Sequence, residues 1–402
     1  MKIIYLTILD TILVTNTDMF SSKFYHNPDE DNVTHISRYK GKIVIIDAMN
    51  RIYKQIIGAL QMNKNDPNIH IKVIFDFTVG LIKYGMIPVY VFDGKSPKEK
   101  IKIVNRRKRV RVFHTYKCKT MNIASDEYVH SLKKAFVLTK KHIDDCKKVL
   151  DYMGICYIDA PAEADQQCAI LARYYKNNVA GVITDDFDVL LHGAPVMLKN
   201  FSFKNKTVNE INNEKILSFL SDKARQIRKI FGQSAIKNLT HENFVEFGVL
   251  NSTDYEIDNS NLDINNLTQD DLFKIFAVCD FSVAKVCDIL YEIRVIQSKK
   301  TFLDTWIKIK DMYVNSKVTN PELIHVILTR IQYENLIKFL CTDNNLNLQY
   351  VQKELDKMKQ NYEILQMMYN KKNVYEFSNY TSYQFRYYTK VYMRQFNPDS
   401  YR

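Results

Sequence analysis

The sequence predicts an α/β protein, and three observations carry that prediction. Short β-branched runs alternate with amphipathic helical patterns through the first half of the chain. The runs are apolar without interruption, as in strands of a parallel sheet buried on both faces. Nearly every run stops at an acidic residue, where α/β sheets gather their ligands.

Taken in order, the first strand is Ile43-Val44-Ile45-Ile46, which follows Gly41 and ends at Asp47. A helical pattern covers Ile71 to Tyr84. The second strand, Pro88-Val89-Tyr90-Val91-Phe92, ends at Asp93-Gly94. A helix is expected to start at Ser96-Pro97. Next, apolar positions at three- and four-residue spacing (Leu132, Ala135, Phe136, Thr139, Ile143, Cys146, Leu150, Met153) read as one helix. The third strand, Gly154 to Ile158, leads to Asp159. Pro161 opens a helix that continues through Ala164, Cys168, Leu171 and Tyr175. The fourth, Ala180-Gly181-Val182-Ile183, leads to Thr184-Asp185-Asp186.

Composition changes after Gly248, the last glycine. Helical patterns resume around Asp270–Arg294 and Pro321–Met358, and the Tyr- and Asn-rich stretch from Tyr362 has weak periodicity. The expected organisation is therefore a core over 1–260 with a basic helical insertion at 96–145, a helical extension over 261–360, and a tail over 361–402.

With 402 residues and 46% apolar content the chain can bury a full core, and 10 Gly exclude collagen. The formal charge of +12 favours an anionic partner. Seven cysteines without a Cys-x-x-Cys pair point away from a disulfide framework or zinc knuckle and toward a reducing compartment. Met1 to Val14 is apolar, but Asp10 interrupts it and no small-residue cleavage site follows, so no signal peptide is expected. No segment reaches the ~20 apolar residues of a membrane span.

Acids that recur at strand ends imply a cation, because crowded carboxylates repel unless one neutralises them. The candidates are Asp47, Asp93, Glu163, Asp165, Asp186, Asp188 and Asp254. A set of oxygen donors without His or Cys selects Mg²⁺ or Mn²⁺ over zinc, and a pair of such ions suits displacement at phosphorus. Asp186 and Asp188 share a side if their segment stays extended. Glu163 and Asp165 face one point only if they occupy an irregular helix entry. A lone Asp after a strand is ordinarily a turn former or helix cap, and recurrence is what shifts the balance toward a site.

Lys95 to Lys119 holds eleven Lys/Arg against one Glu. Lys100, Arg107 and Arg111 lie on one helical face, directly after Asp93. Arg grips phosphate oxygens bidentately, so this face suits a phosphate entering the acid cluster. A solvated helix and a nuclear-import run are the plainer readings of the same charges.

Pro88 to Pro97 and Gly154 to Asp165 closely resemble two signature stretches of the flap endonuclease family, the XPG-type structure-specific 5′ nucleases. Thr139 to Cys146, Ile183 to Asp188, Leu250 to Tyr255 and Glu334 to Leu340 resemble further family segments in family order. The resemblance implies a PIN-like core with a mostly parallel sheet, an inserted helical arch and a helical C-terminal extension. It implies Mg²⁺-dependent cleavage of DNA near single-strand/duplex junctions, with two ions for which Mn²⁺ substitutes. One ion is expected on Asp47, Asp93, Glu163 and Asp165, the other on Asp186, Asp188 and Asp254. Lys100 and Arg107 match arch residues at the scissile phosphate, and Tyr53 matches an aromatic near the unpaired nucleotide. Lys95, Arg106 and Arg111 complete the expected nucleic-acid contacts.

The expected partner is branched or flapped DNA, bound by a monomer at the site of DNA replication in a nucleus or viral factory. The departures are Asp165 in place of the family's usual Glu, a longer amino-terminal segment with Lys2 where the family has glycine, and no glycine-rich helix-two-turn-helix after Asp254. No sliding-clamp motif is visible in Tyr362–Arg402. The competing readings are an RNA-directed 5′ exonuclease and a catalytically silent protein that binds branched DNA.

Overall fold

The computed structural model describes residues 33–62, 66, 68–97, 100–122, 125–233, 238–251, 267–315 and 317–370. The sheet has seven strands: β1 (Val33–His35), β2 (Ile43–Asp47), β3 (Ile87–Phe92), β4 (Tyr157–Asp159), β5 (Val179–Ile183), β6 (Val196–Ser202) and β7 (Thr207–Asn212). Their order is β1-β7-β6-β5-β2-β3-β4. β2 pairs in parallel with both β3 and β5, β3 with β4, and β5 with β6, while β1 runs antiparallel to β7. Every residue of β2 and β3 is buried, as the continuous apolar runs require.

From β2 the chain builds outward to β3 and β4 on one side, and later to β5 and β6 on the other. The carboxyl ends around β2 therefore form the switch point at which α/β sheets bind ligands.

Through the first half of the chain the helices are α1 (Ala48–Met62), α2 (Ile69–Lys83), α3 (Ile101–Thr120), α4 (Asp126–Ala135), α5 (Lys140–Met153), α6 (Ala164–Tyr174) and the short α7 (Asp188–Leu191). Further along lie α8 (Asn213–Ile230), α9 (His241–Asn251), α10 (Gln269–Val278), α11 (Val283–Glu292), α12 (Lys299–Val314), α13 (Tyr333–Ile337) and α14 (Leu348–Asn370).

Two compact units result, and they cut across the linear boundaries expected from the sequence. The sheet unit comprises Val33–Leu190, Ala194–Glu210 and the described residues from Lys317 onward. Its last part returns to the sheet. Residues 324–328 alternate buried and exposed, with Ile324, Val326 and Leu328 inward. Thr329 N–H donates to Gly154 O at 3.0 Å and Gln332 N–H to Tyr152 O at 2.8 Å, which covers the β4 side of the sheet. α14 lies against α2, where Asn361 Nδ2 donates to Lys83 O at 2.7 Å. So 317–332 is largely extended rather than helical, and the helix at the start of the expected tail runs to Asn370. Residues 371–402 lie outside the described residues.

The helical unit, 211–315 with Leu191–Gly193, packs Phe247 against Phe273 and Phe276. The expected pattern over Asp270–Arg294 is two helices, because Asp280 (φ 58°) and Phe281 (φ 59°) turn the chain in the left-handed region. A turn thus stands between α10 and α11 without the glycines that usually supply it.

Three local boundaries also differ from expectation. The basic helix starts at Ile101, with Lys100 at its N-cap, rather than at Ser96-Pro97. The run over Leu132–Met153 is two helices, broken where Thr139 Oγ1 accepts from His142 N–H at 3.3 Å and His142 Nδ1 accepts from Thr139 N–H at 3.2 Å. β4 begins at Tyr157, because Gly154 (φ 68°) forms the left-handed cap of α5.

Candidate active site

Asp47 closes β2 and is 7% exposed. Its Oδ1 accepts from Asn50 N–H at 3.1 Å, so it caps α1, and its Oδ2 accepts from Thr184 Oγ1 at 3.1 Å. Burial, then the charge of Asp93 and more weakly that of Asp186, push its carboxyl up to about 7 against the lowering effect of these two hydrogen bonds.

Asp93 follows β3. It has solvent access within a crowded surrounding, and its Oδ1 accepts from Ala164 N–H at 2.7 Å, at the amino end of α6. Burial and Asp186 raise its carboxyl, while Ala164 N–H and Lys100 lower it. The next residue has to be glycine: a Cβ on Gly94 would stand 1.9 Å from Ala160 O. That contact brings the chain beside Glu163 and Asp165.

Glu163 is the N-cap of α6, with extended backbone (φ −83°, ψ 146°), and Asp165 lies in the first turn. The irregular helix entry that the pair requires is present. Asp165 is pushed well above the usual carboxylate range by burial, then by Glu163 and Asp188, with Lys100 opposing and Asp186 adding. Lys100 Nζ lies 2.8 Å from both Glu163 oxygens, the two side chains being 12% and 16% exposed. One ammonium thus serves three acids.

Beyond β5, Asp186 N–H donates to Thr184 Oγ1 at 3.1 Å, and Asp188 N–H to Asp186 Oδ1 at 3.1 Å. The segment is not extended, because Asp188 begins α7. Asp186 and Asp188 are therefore related by a turn and not by strand alternation. Asp254 lies outside the described residues.

The six described carboxylates act electrostatically on one another across four separate segments. They do not form a finished cage: among the described residues no three His, Cys, Asp or Glu side chains stand in a metal-holding arrangement. Mutual repulsion opposes closer approach of the acids, and Glu163 is tied to Lys100. The donor set is entirely hard oxygen with excess negative charge, which fits Mg²⁺ or Mn²⁺ and does not fit zinc.

α3 carries the basic face. Lys95, Arg106 and Arg107 are exposed, and Arg111 is half-buried, with its Nε donating to Arg107 O at 3.3 Å. Tyr53 is 38% exposed, and its hydroxyl donates to Lys133 O at 2.7 Å, beside the Phe136 ring at 6.0 Å. It braces the end of α4, with the charge of Arg111 acting on it.

Thr184, Asn50, Lys54 and Asp185 also belong to this surrounding and are not among the site candidates expected from the sequence. Asp185 accepts from Asn200 N–H at 3.2 Å and pairs with Lys54 Nζ at 2.5 Å. The spacing Asp47-x-x-Asn50 at a helix start was the one available signal.

Comparison with known proteins gives matches to the XPG N-terminal domain over residues 29–113 and to the XPG I-region over 154–254. Flap endonuclease 1 of Encephalitozoon cuniculi is 33% identical over 227 residues, 54% of this chain and 60% of that protein. Flap endonuclease 1 of Tetrahymena thermophila is 28% identical over 338 residues, 80% of this chain and 81% of that protein. The chain thus spans less than two thirds of the first relative and about four fifths of the second. Among solved structures, flap endonuclease-1 from Methanococcus jannaschii aligns at a TM-score of 0.57 and 22% identity, covering 85% of this chain and 96% of that one. The catalytic core of Rad2 in complex with DNA substrate aligns at 0.56 and 21%, covering 81% and 94%. The fold is accordingly the PIN-like α/β core, a mostly parallel sheet flanked by helices.

Proposed function

The chain belongs to the XPG-type flap endonuclease family, and we propose that it is a metal-dependent 5′ nuclease that cleaves DNA near single-strand/duplex junctions. The observation that carries this reading is the set of contacts that draws the acids together: Thr184 ties Asp47 to Asp186, Ala164 N–H ties Asp93 to α6, and Lys100 holds Glu163 at the start of a basic helix.

Asp47, Asp93, Glu163 and Asp165 would hold one Mg²⁺ ion, and Asp186, Asp188 and Asp254 a second. The chemistry such ions would supply when bound is activation of a water and stabilisation of the leaving oxygen. The chain's own part is to bind and orient the substrate. Arg107 and Lys100 hold the phosphate, the guanidinium by a planar fork and the ammonium as a point charge. For Lys100 to serve, it must turn from Glu163, its partner in the structure. Lys95, Arg106 and Arg111 hold flanking phosphates and position the strand without reading its sequence.

The sheet unit, with its insertion at 96–145, is assigned cleavage, and the helical unit duplex binding. The protein is assigned to DNA replication, recombination or repair and acts as a monomer. Among the described residues no helix is long and apolar enough to cross a membrane.

The test is single-turnover cleavage of 5′-labelled flap, nicked, single-stranded and RNA substrates with Mg²⁺. Preferential cutting of the DNA flap at its junction, leaving a 5′-phosphate, supports the proposal. Preferential cutting of 5′-phosphorylated RNA overturns the substrate assignment.

A further inference from the structure

Thr184 sits between two of the carboxylate-bearing segments and is 3% exposed. Its hydroxyl is used twice: Oγ1 donates to Asp47 Oδ2 and accepts from Asp186 N–H, each at 3.1 Å. Segments 137 residues apart thus meet on one oxygen atom. A second link runs parallel to the first. Asn50 N–H donates to Asp47 Oδ1 at 3.1 Å, and Asn50 Oδ1 accepts from Asp185 N–H at 3.3 Å. Asp185 is in turn held on its far side by Lys54 and by Asn200 N–H.

A hydroxyl has one proton to give. With that proton on Asp47 and a lone pair facing Asp186 N–H, the Thr184 rotamer is fixed from both sides. The Asp47 carboxylate and the backbone that carries Asp186 are therefore joined through one side chain. Asp47 and Asp186 belong to different carboxylate groups in the two-ion assignment, so the bridge spans the two.

We infer that Thr184 is a positioning residue that couples the two carboxylate groups, so that their affinities for divalent cations rise and fall together, with Asn50 as its auxiliary. The inference rests on the nuclease reading above, since it takes the carboxylates as cation ligands. Thr184 itself touches neither cation nor substrate. Groups that orient ligands in this way typically change metal affinity by roughly 10- to 100-fold when removed.

Thr184→Val keeps the side-chain shape and deletes both hydrogen bonds. Thr184→Ser keeps the oxygen. The experiment is calorimetric titration of the full chain with Mn²⁺ alone, together with the Mg²⁺ dependence of flap cleavage and the thermal midpoint. Thr184→Val is expected to weaken both Mn²⁺ sites by about 10-fold or more, to raise the Mg²⁺ concentration for half-maximal cleavage in step, and to leave DNA affinity in EDTA unchanged. Thr184→Ser is expected to restore parental Mn²⁺ affinity.

A lowered thermal midpoint with parental Mn²⁺ affinity would make Thr184 a structural strut and overturn the inference. Loss at one Mn²⁺ site with the other intact would overturn the coupling. If Thr184→Val does not fold, Asn50→Ala, which deletes a half-buried acceptor, is held to the same criteria. A parental protein that neither binds Mn²⁺ nor cuts DNA sinks the nuclease reading and the coupling with it. Parental binding and cutting with an indifferent Thr184→Val sinks the coupling alone.

Discussion

The acid cluster, drawn from segments on both sides of it in the chain, and the basic helix α3 are built on opposite principles. Asp47 and Asp93 are fixed by hydrogen bonds from helix-start N–H groups, and burial or neighbouring charge raises their carboxyls. α3 runs for 20 residues with most of its side chains exposed, including Arg106 and Arg107. Like charges crowded together cost folding free energy, most of all where one of them, Asp47, is buried. Charges in water cost little and are screened within ~8–10 Å at physiological salt. In the function proposed above, chemistry falls to the first region and capture to the second.

The largest effect that can break this contrast comes from Asp186→Asn. Cleavage is expected to fall by on the order of 10³-fold or more, because a charge that balances the cation is gone. DNA affinity, dominated by phosphate contacts, should hold. Parental cleavage by this variant would remove the acids from the chemistry.

Arg107→Ala asks whether α3 only captures. A group that stabilises charge at the scissile phosphate is worth roughly 10²–10³-fold in rate, so the single-turnover rate should fall further than the affinity. Equal losses would reduce Arg107 to an anchor. Arg106→Gln is the complementary probe: if it contacts one phosphate, the slope of log affinity against log salt should become shallower by about 0.9, with the saturated rate unchanged. A rate loss at saturation would move Arg106 into the chemistry.

The sheet was legible where burial and chemistry coincide. An apolar run ending in Asp marks both a buried strand and its functional end, and β2, β3 and β5 were readable on that ground. The helix break at Phe136–Thr139 was hidden because apolar spacing continues across it, and because its capping box uses His142 in place of the usual Glu or Gln. The turn between α10 and α11 was hidden because Asp280 and Phe281 adopt the conformation that glycine normally marks. Thr184 was invisible for a different reason. A threonine after a strand is unremarkable, and its partner lies far away in the sequence.

The smallest expected effect concerns the contact between the start of α2 and α5. His70 is buried, with Nε2 3.0 Å from Asp145 Oδ2 and its ring 4.5 Å from that of His142. Burial, aided by the charges of His142 and Lys141, lowers its pKa against the opposing effect of Asp145. The unfolded chain therefore binds more protons than the folded one below the ordinary histidine value of ~6.5, and stability falls as pH drops through that value toward the lowered folded one. His70→Gln should flatten the acid side of a melting-temperature profile. An unchanged slope would place the acid sensitivity elsewhere.

The most direct test of the whole account is single-turnover cleavage of a 5′-labelled DNA flap by the parental chain, with Mg²⁺ and with EDTA. Cutting at the flap junction is expected with Mg²⁺ and none with EDTA, with binding retained in both. Cutting that persists in EDTA, or intact DNA of every branched form with either Mg²⁺ or Mn²⁺, would contradict it.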